Sequence, residues 1–247
     1  MQFCEAPVQE VEKIEIILWM RCNAPCVFCT SGDATDTEYT HEQAVSLMRD
    51  WRARGATGVA LGGGEPTTFD TLPDLAAAAR DMGYSEIEIK TNGMRFCYPE
   101  YATACLEAGV TRFTVSLWGH TPETHDALAG RPRAFEMTEM GLKHLVHYGA
   151  DPIVDFLVTT HTVDHVADAA AILHAMGVRR MSTWLFCVFG AGGRLHELMP
   201  RLDHAGKALA HAAQAFPDMD FSTTHIPPCC LHGRADLYRN IAAMRLL

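Results

Sequence analysis

The stretch Ile14-Glu15-Ile16-Ile17-Leu18-Trp19-Met20 runs, one residue later, into Cys22-Asn23-Ala24-Pro25-Cys26-Val27-Phe28-Cys29. The first part is β-branched and aromatic, the composition of a short strand. The second sets three thiols in a loop with C-x3-C-x2-C spacing. Thiolate is the usual protein ligand of iron–sulfur iron, so three such residues can hold three corners of a cubic four-iron cluster. The fourth iron then stays open, and an open position is where a metal site does chemistry. A structural zinc site is the competing reading, with His41 or a distant cysteine as fourth ligand, and spacing alone does not separate the two. Zinc lacks its second cysteine pair, since the next cysteine is Cys97. Disulfides fit poorly: nine cysteines is an odd number, and no signal peptide is legible ahead of them, so a reducing, cytoplasmic compartment is expected.

Strand and helix signals alternate outward from this loop. Thr40 and Gln43 form a capping-box pair, and Ala44, Leu47, Met48 and Trp51 then recur at helical spacing up to Gly55. Strand signals follow at 58–61, 86–91, 112–117, 153–160 and 181–189. Helical signals fall at 72–82, 99–108, a longer region ending near Tyr148, a segment ending at Gly177 and another after Leu195. Six strands, each followed by a helical segment, imply a parallel sheet with helices outside, either doubly wound or barrel-like. One domain is expected over 1–216, followed by a C-terminal tail, 217–247, packing on it. The tail carries a strand-like run at 219–226, then Pro227-Pro228-Cys229-Cys230 and a final helical stretch.

Composition bounds the partners. A chain of 247 residues, 48% hydrophobic and 20% charged, is long enough for one substantial core. Its net charge of −10 argues against nonspecific nucleic-acid binding, which needs clustered Lys and Arg. No run approaches the ~20 apolar residues that span a bilayer, so no membrane partner is expected.

In parallel α/β folds, ligands bind where the loops leave the carboxyl ends of the strands. The cysteine loop, Gly62-Gly63-Gly64-Glu65-Pro66, Thr91-Asn92-Gly93, Ser116 and Gly190-Ala191-Gly192-Gly193 all fall there. A glycine run is often only a tight turn. It also lets backbone approach a ligand closely, while Glu65 offers a carboxylate to a cation such as an amino group. The 190–193 glycines match no phosphate-binding fingerprint. Strand alternation puts Thr114, Ser116 and Trp118 opposite Phe113, Val115 and Leu117. It likewise puts Glu88, Lys90 and Asn92 opposite Ile87 and Ile89, and Asp155, Thr159 and His161 opposite Val154, Phe156 and Val158. Such a face is too polar for a dry core, so a polar cavity is expected, with Lys90 pairing Glu88 or Asp155 or meeting substrate.

Together these residues resemble the radical S-adenosylmethionine superfamily. The match rests on Cys22, Cys26 and Cys29 with Phe28 between the last two, and on Gly63-Gly64-Glu65-Pro66, Thr91-Asn92-Gly93 and Ser116-Leu117-Trp118-Gly119, over roughly 14–190. The resemblance is to a compact member without a full SPASM extension, and it implies a partial (β/α)6 TIM-like barrel of parallel strands with a short C-terminal tail. It implies that Cys22, Cys26 and Cys29 hold a [4Fe-4S] cluster whose open iron chelates S-adenosylmethionine. Gly63, Gly64 and Glu65 would meet its amino group, Ser116 and Asn92 its carboxylate or ribose, and Phe28 its adenine. The adenine pattern G-x-I-x-G-x-x-E is replaced by Thr159-Thr160-His161, which leaves His161 and the backbone at 187–190 as adenine candidates.

An electron from a reductant such as flavodoxin or ferredoxin would cleave the cofactor to a 5′-deoxyadenosyl radical. That radical would take hydrogen from a small metabolite or peptide in a biosynthetic or tailoring pathway. For Cys187, Cys229 and Cys230 three readings stand open: ligands of an auxiliary second iron–sulfur cluster, as in a dehydrogenase or maturase; a hydrogen-donating Cys229 or Cys230, as in a radical epimerase; or packing. From another class, a noncatalytic iron–sulfur sensor or binding protein would keep the fold. Cys105 reads as core, Cys4 as lying at the end away from the site, and Arg131 and Arg133 as carboxylate contacts or solvated loop residues.

Overall fold

The computed structural model describes residues 11–29, 38–186, 195–239 and 244–246. Strands β1 (Lys13–Ile17), β2 (Gly58–Gly62), β3 (Glu86–Thr91), β4 (Arg112–Leu117), β5 (Ile153–Val158), β6 (Arg180–Leu185), β7 (Asp220–Thr223) and β8 (Met244–Leu246) form one sheet. Its spatial order is β7-β6-β5-β4-β3-β2-β1-β8. Every neighbouring pair is parallel. Between the strands lie α1 (His41–Ala53), α2 (Leu72–Asp81), α3 (Pro99–Glu107), α4 (Pro122–Ala129), α5 (Ala134–His147), α6 (Val166–Ala175) and α7 (Leu202–Ala215). Successive right-handed crossovers place these helices on one side, and β7 and β8 stand at opposite ends of the sheet without pairing to each other among the described residues, so the barrel is partial.

The helix-facing side of the sheet is the apolar core. Ile14, Ile16, Leu61, Ile89, Val154 and Phe156 have no solvent exposure and meet Ala79, Leu145, Leu173 and Leu209 from the helices. Burying each large aliphatic or aromatic side chain contributes about 1.5–3 kcal/mol. α1 begins with the expected capping box, Thr40 accepting from the Gln43 amide at 3.2 Å and Gln43 accepting from the Thr40 amide at 2.8 Å.

The helical region ending near Tyr148 is two helices. Gly130, at φ 64°, closes α4. Asp126 then accepts from the amides of Arg133 at 2.6 Å and Phe135 at 2.8 Å and so caps α5. The six-strand expectation is extended at both edges. The 219–226 run supplies β7 beside β6, and the final helical stretch is corrected. After short 3-10 turns at Pro228–Cys230 and Ala235–Leu237, the chain pairs as β8 with β1. Pro227, Pro228 and Gly233 break any longer helix, and a strand held by pairing across the sheet has no local signature.

The opposite face is polar, as alternation requires. Lys13 is ion-paired with Glu86 and Glu88, Arg112 with Glu86 at 3.2 Å, and the Thr114 hydroxyl donates to Glu88. Lys90 pairs with Glu15 at 2.6 Å, while the Glu88 carboxylate goes to Lys13. Gly62 leaves room for the Lys90–Glu15 pair, since a Cβ there would lie 3.1 Å from the Glu15 carboxylate. Burial is the largest influence on the Glu88 carboxyl and raises it, but the Lys13 charge, the hydrogen bonds from Lys13 and Thr114 and the Lys90 charge together outweigh it and hold the group below its ordinary value. Asp155 has less help. Burial pushes it up to about 6 despite a hydrogen bond from Ser182 and the nearby Lys90 charge.

Candidate active site

The cysteine loop and the glycine motif are zipped together. Leu18 continues the β1–β2 ladder by donating to the Gly62 carbonyl at 3.0 Å, after which Gly64 donates to Trp19 at 2.7 Å and Glu65 to Arg21 at 2.8 Å. A Cβ on Gly63, at φ 132°, would lie 2.3 Å from the Trp19 carbonyl oxygen, and one on Gly64 would lie 2.3 Å from that of Arg21. Backbone meets backbone there, so only glycine fits.

Two further loops grip the segment from 22 to 29. The Asn92 side-chain amide donates to Asn23 Oδ1 at 2.7 Å, and the Arg131 guanidinium donates to the Asn23 carbonyl. The Val27 amide donates to Leu128 at 3.0 Å, and Phe28 meets Trp118 edge-on with centroids 5.0 Å apart. Gly130 sits against Pro25, whose carbonyl oxygen would be 2.4 Å from a Cβ. Arg131 is thus a loop brace, whereas Arg133 is exposed and pairs with Glu136 at 2.9 Å.

Glu65 is 1% exposed, and its carboxylate is fully engaged. Oε1 accepts from the Thr67 amide at 3.0 Å and from the Thr67 and Thr91 hydroxyls, both at 2.6 Å, while Oε2 accepts from the Asn92 amide at 2.8 Å. Burial lifts its pKa above the ordinary value against the pull of these bonds. The side chain therefore ties the loop after β2 to the loop after β3. What this motif presents outward is backbone: among the described residues no hydrogen bond reaches the carbonyl oxygens of Gly63 or Gly64.

Cys22 and Cys29 are exposed and Cys26 is half-buried. Burial pushes Cys26 up to about 12, with the charges of Cys22 and Cys29 adding to it, and burial also raises Cys22. Three thiolates that repel one another need a bound cationic centre to ionise together. Among the described residues, the group of three His, Cys, Asp or Glu ligand atoms within 4.8 Å of one another is His120, His165 and Asp168, not the cysteines. The thiols are therefore spread more widely than the corners of a single-ion tetrahedron. Three thiols and wide spacing fit a cluster better than zinc.

Ser116 lies one residue before the end of β4 on the polar face, in register with Asp155. His161 is exposed, on a turn in which Thr162 Oγ1 accepts from the Thr159 amide at 2.8 Å. Cys229 and Cys230 share a 3-10 turn after β7 with their sulfurs 4.0 Å apart. The Cys230 carbonyl presses on Gly206 of α7, where a Cβ would lie 1.8 Å away, and Cys230 packs against the helix-side core. Cys230 is thus tied to the helix side, while Cys229 is exposed. Cys4, Cys187 and Gly190 to Gly193 lie outside the described residues. Cys105 is buried in α3, as expected of a core residue. The bracing roles of Asn23 and Thr91 are not legible in the sequence because their partners, Asn92 and Glu65, are remote in the chain, whereas Thr67 bonds Glu65 only two residues away and shows no sign of it in residue type alone.

The family model of the radical SAM superfamily matches residues 16–202, and the chain belongs to that superfamily. Membership implies a [4Fe-4S] cluster and S-adenosylmethionine, and the donor set above fits both. Among its relatives, Fe-coproporphyrin III synthase of Methanosarcina barkeri is 29% identical over 191 residues, covering 74% of this chain and 47% of that protein. The mycofactocin maturase MftC of Mycobacterium ulcerans is 31% identical over 161 residues, covering 63% of this chain and 42% of its own. In fold, Streptococcus suis SuiB bound to the precursor peptide SuiA aligns with a TM-score of 0.73 at 14% identity, over 90% of this chain and 51% of that one. The chain spans about half the length of the curated relatives it matches. Among the described residues no helix is long and apolar enough to cross a membrane.

Proposed function

We propose that this chain is a radical SAM enzyme that abstracts hydrogen from a small metabolite or a peptide held over the polar face of the partial barrel. The observation that carries the reading is the joining of the three-thiol loop to the Gly63-Gly64 backbone, Asn92 and Trp118 at one end of the sheet. When bound, the cluster and S-adenosylmethionine supply a 5′-deoxyadenosyl radical after one-electron reduction by a carrier such as flavodoxin or ferredoxin.

The chain's own residues bind, orient and enclose. Cys22, Cys26 and Cys29 hold three irons. The carbonyls of Gly63 and Gly64 accept from the cofactor's amino group, while the Glu65 carboxylate keeps that turn rigid from behind. Ser116 meets the carboxylate or ribose, and Phe28 with Trp118 gives an apolar wall for the adenine. His161, exposed on the turn after β5, is a further candidate for the adenine. Charged groups on the polar face, Lys90, Glu15 and Asp155 among them, suit a polar substrate and keep water ordered around it. The placement of Cys230 against α7 favours packing over an auxiliary cluster or a hydrogen donor for that residue.

The test is turnover of the cofactor. Anaerobically reconstituted protein with a strong reductant forms 5′-deoxyadenosine, and replacing Cys22, Cys26 and Cys29 together with Ala abolishes it. Wild-type protein that carries a cluster but forms no 5′-deoxyadenosine would instead support a noncatalytic iron–sulfur role.

A further inference from the structure

We propose that His120, His165 and Asp168 form a second metal site, for a divalent first-row transition ion such as zinc, separate from the cysteine loop. His120 lies in the connection from β4 to α4. His165 ends the 3-10 turn Val163–His165 after β5, and Asp168 stands in the first turn of α6. Segments 45 residues apart in the chain are thereby brought to one point near the carboxyl ends of adjacent strands.

The two imidazole rings lie nearly parallel, 19° apart, with centroids at 4.1 Å. His165 Nδ1 is 2.8 Å from Asp168 Oδ2, and one ligand atom from each of the three residues falls within 4.8 Å of the others. Metal–nitrogen and metal–oxygen bonds of about 2.0–2.2 Å put neighbouring donors roughly 3 Å apart. The His165–Asp168 contact already has that spacing. Tilting the His120 ring out of its stacked position brings in the third donor.

A second observation points the same way. Among the described residues, His120 Nδ1 is shut off from solvent and has no hydrogen-bond partner. A buried ring nitrogen without a partner carries a desolvation penalty that a metal would remove. Two imidazoles and one carboxylate suit zinc, cobalt or nickel, whereas calcium and magnesium prefer all-oxygen sets. Three protein ligands leave a further position for water.

The position gives the ion a consequence. Gly119, just before His120, is pressed against α4, where a Cβ would lie 2.6 Å from the His125 amide nitrogen, so this segment has little freedom to move. Trp118, two residues before His120, meets Phe28 of the cysteine loop and packs on the same apolar cluster as Cys26. An ion at His120 would clamp the segment that carries Trp118 to α6, bracing the cysteine loop from outside.

The test uses cluster-loaded protein under anaerobic conditions, so that Cys22, Cys26 and Cys29 are occupied, dialysed against chelator-buffered zinc. The expected result is one zinc per chain beyond the cluster iron. Zinc-edge X-ray absorption should show imidazole and carboxylate ligation with no sulfur at about 2.3 Å. Loss of an outer-sphere partner commonly weakens metal binding 10–100-fold, so His120→Ala and His165→Ala should weaken it by more than about 100-fold. A Cys229→Ser, Cys230→Ser double variant should bind zinc as wild type does. A sulfur shell in the spectrum, no zinc bound by wild type at micromolar free zinc, or unchanged affinity in both histidine variants would overturn the proposal. The spectrum is read on wild-type protein, so a folding defect in a variant does not blunt the test.

Discussion

Asn92 donates its side-chain amide to Asn23 Oδ1 at 2.7 Å, fastening the loop after β3 to the residue that follows the first cluster cysteine. The same Asn92 gives its backbone amide to Glu65 at 2.8 Å and accepts from the Met94 amide at 3.1 Å. One residue thus joins three loops. Asn23→Ala and Asn92→Ala should each lower stability, Asn92→Ala more because Met94 loses its acceptor. A double-mutant cycle in urea should give a coupling of about 0.5–1.5 kcal/mol. Additive losses would mean the two side chains do not support one another.

Gly64→Ala should be costlier than Gly149→Ala. At Gly64 the new methyl would lie 2.3 Å from the Arg21 carbonyl oxygen. At Gly149, which has positive φ at 83°, nothing among the described residues lies within 4 Å of a Cβ. Gly149→Ala should therefore cost only the left-handed strain, about 1–2 kcal/mol. Gly64→Ala should cost that of an overpacked site, about 3 kcal/mol at the upper end, and should reduce cluster iron as well. Thermal unfolding and iron analysis of the two variants check this.

Asp155 makes stability fall as pH rises. Its carboxyl is pushed up from 3.8 to about 6 in the folded state, so between those values the folded protein holds the proton more often than the unfolded chain does. Stability from this group is present at the acidic end and is lost as pH passes about 6, by up to about 3 kcal/mol. Asp155→Asn should remove that slope and be neutral or stabilising at pH 7, while still able to accept from Ser182. Glu88, held low, has the opposite sign, and its contribution is lost as pH falls below the ordinary carboxylate range. Comparing urea midpoints of wild type and Asp155→Asn from pH 4 to 8 isolates the Asp155 effect.

Replacing Cys229 or Cys230 with Ser should leave cluster iron unchanged, since Cys230 packs on Gly206 and the helix-side core. A drop of about half in iron per chain would point to a second cluster.

Much of this architecture is legible along the chain because it is locally encoded. The Thr40–Gln43 box, the alternation that sends Ile87 and Ile89 one way and Glu88 and Lys90 the other, and the C-x3-C-x2-C spacing need only neighbouring residues. What stays hidden is partnership at a distance. Lys90 has acidic residues on its own and neighbouring strands, yet it pairs with Glu15, because β1 lies close by across the open space above Gly62. β8 is a three-residue segment that becomes a strand only beside β1. Glu65 looks like a ligand for a cation, and only its burial and four hydrogen bonds reveal it as an internal brace. The stacked His120 and His165 carry no local motif.

The most direct test of the central claim is the electron paramagnetic resonance spectrum of the reduced, reconstituted protein with and without S-adenosylmethionine. If Cys22, Cys26 and Cys29 hold three corners and leave one iron open, the cofactor binds that iron and shifts the signal of the reduced cluster, and the triple Ala variant shows no signal. A cluster signal that the cofactor leaves unchanged, or one that survives in the triple variant, would contradict the account.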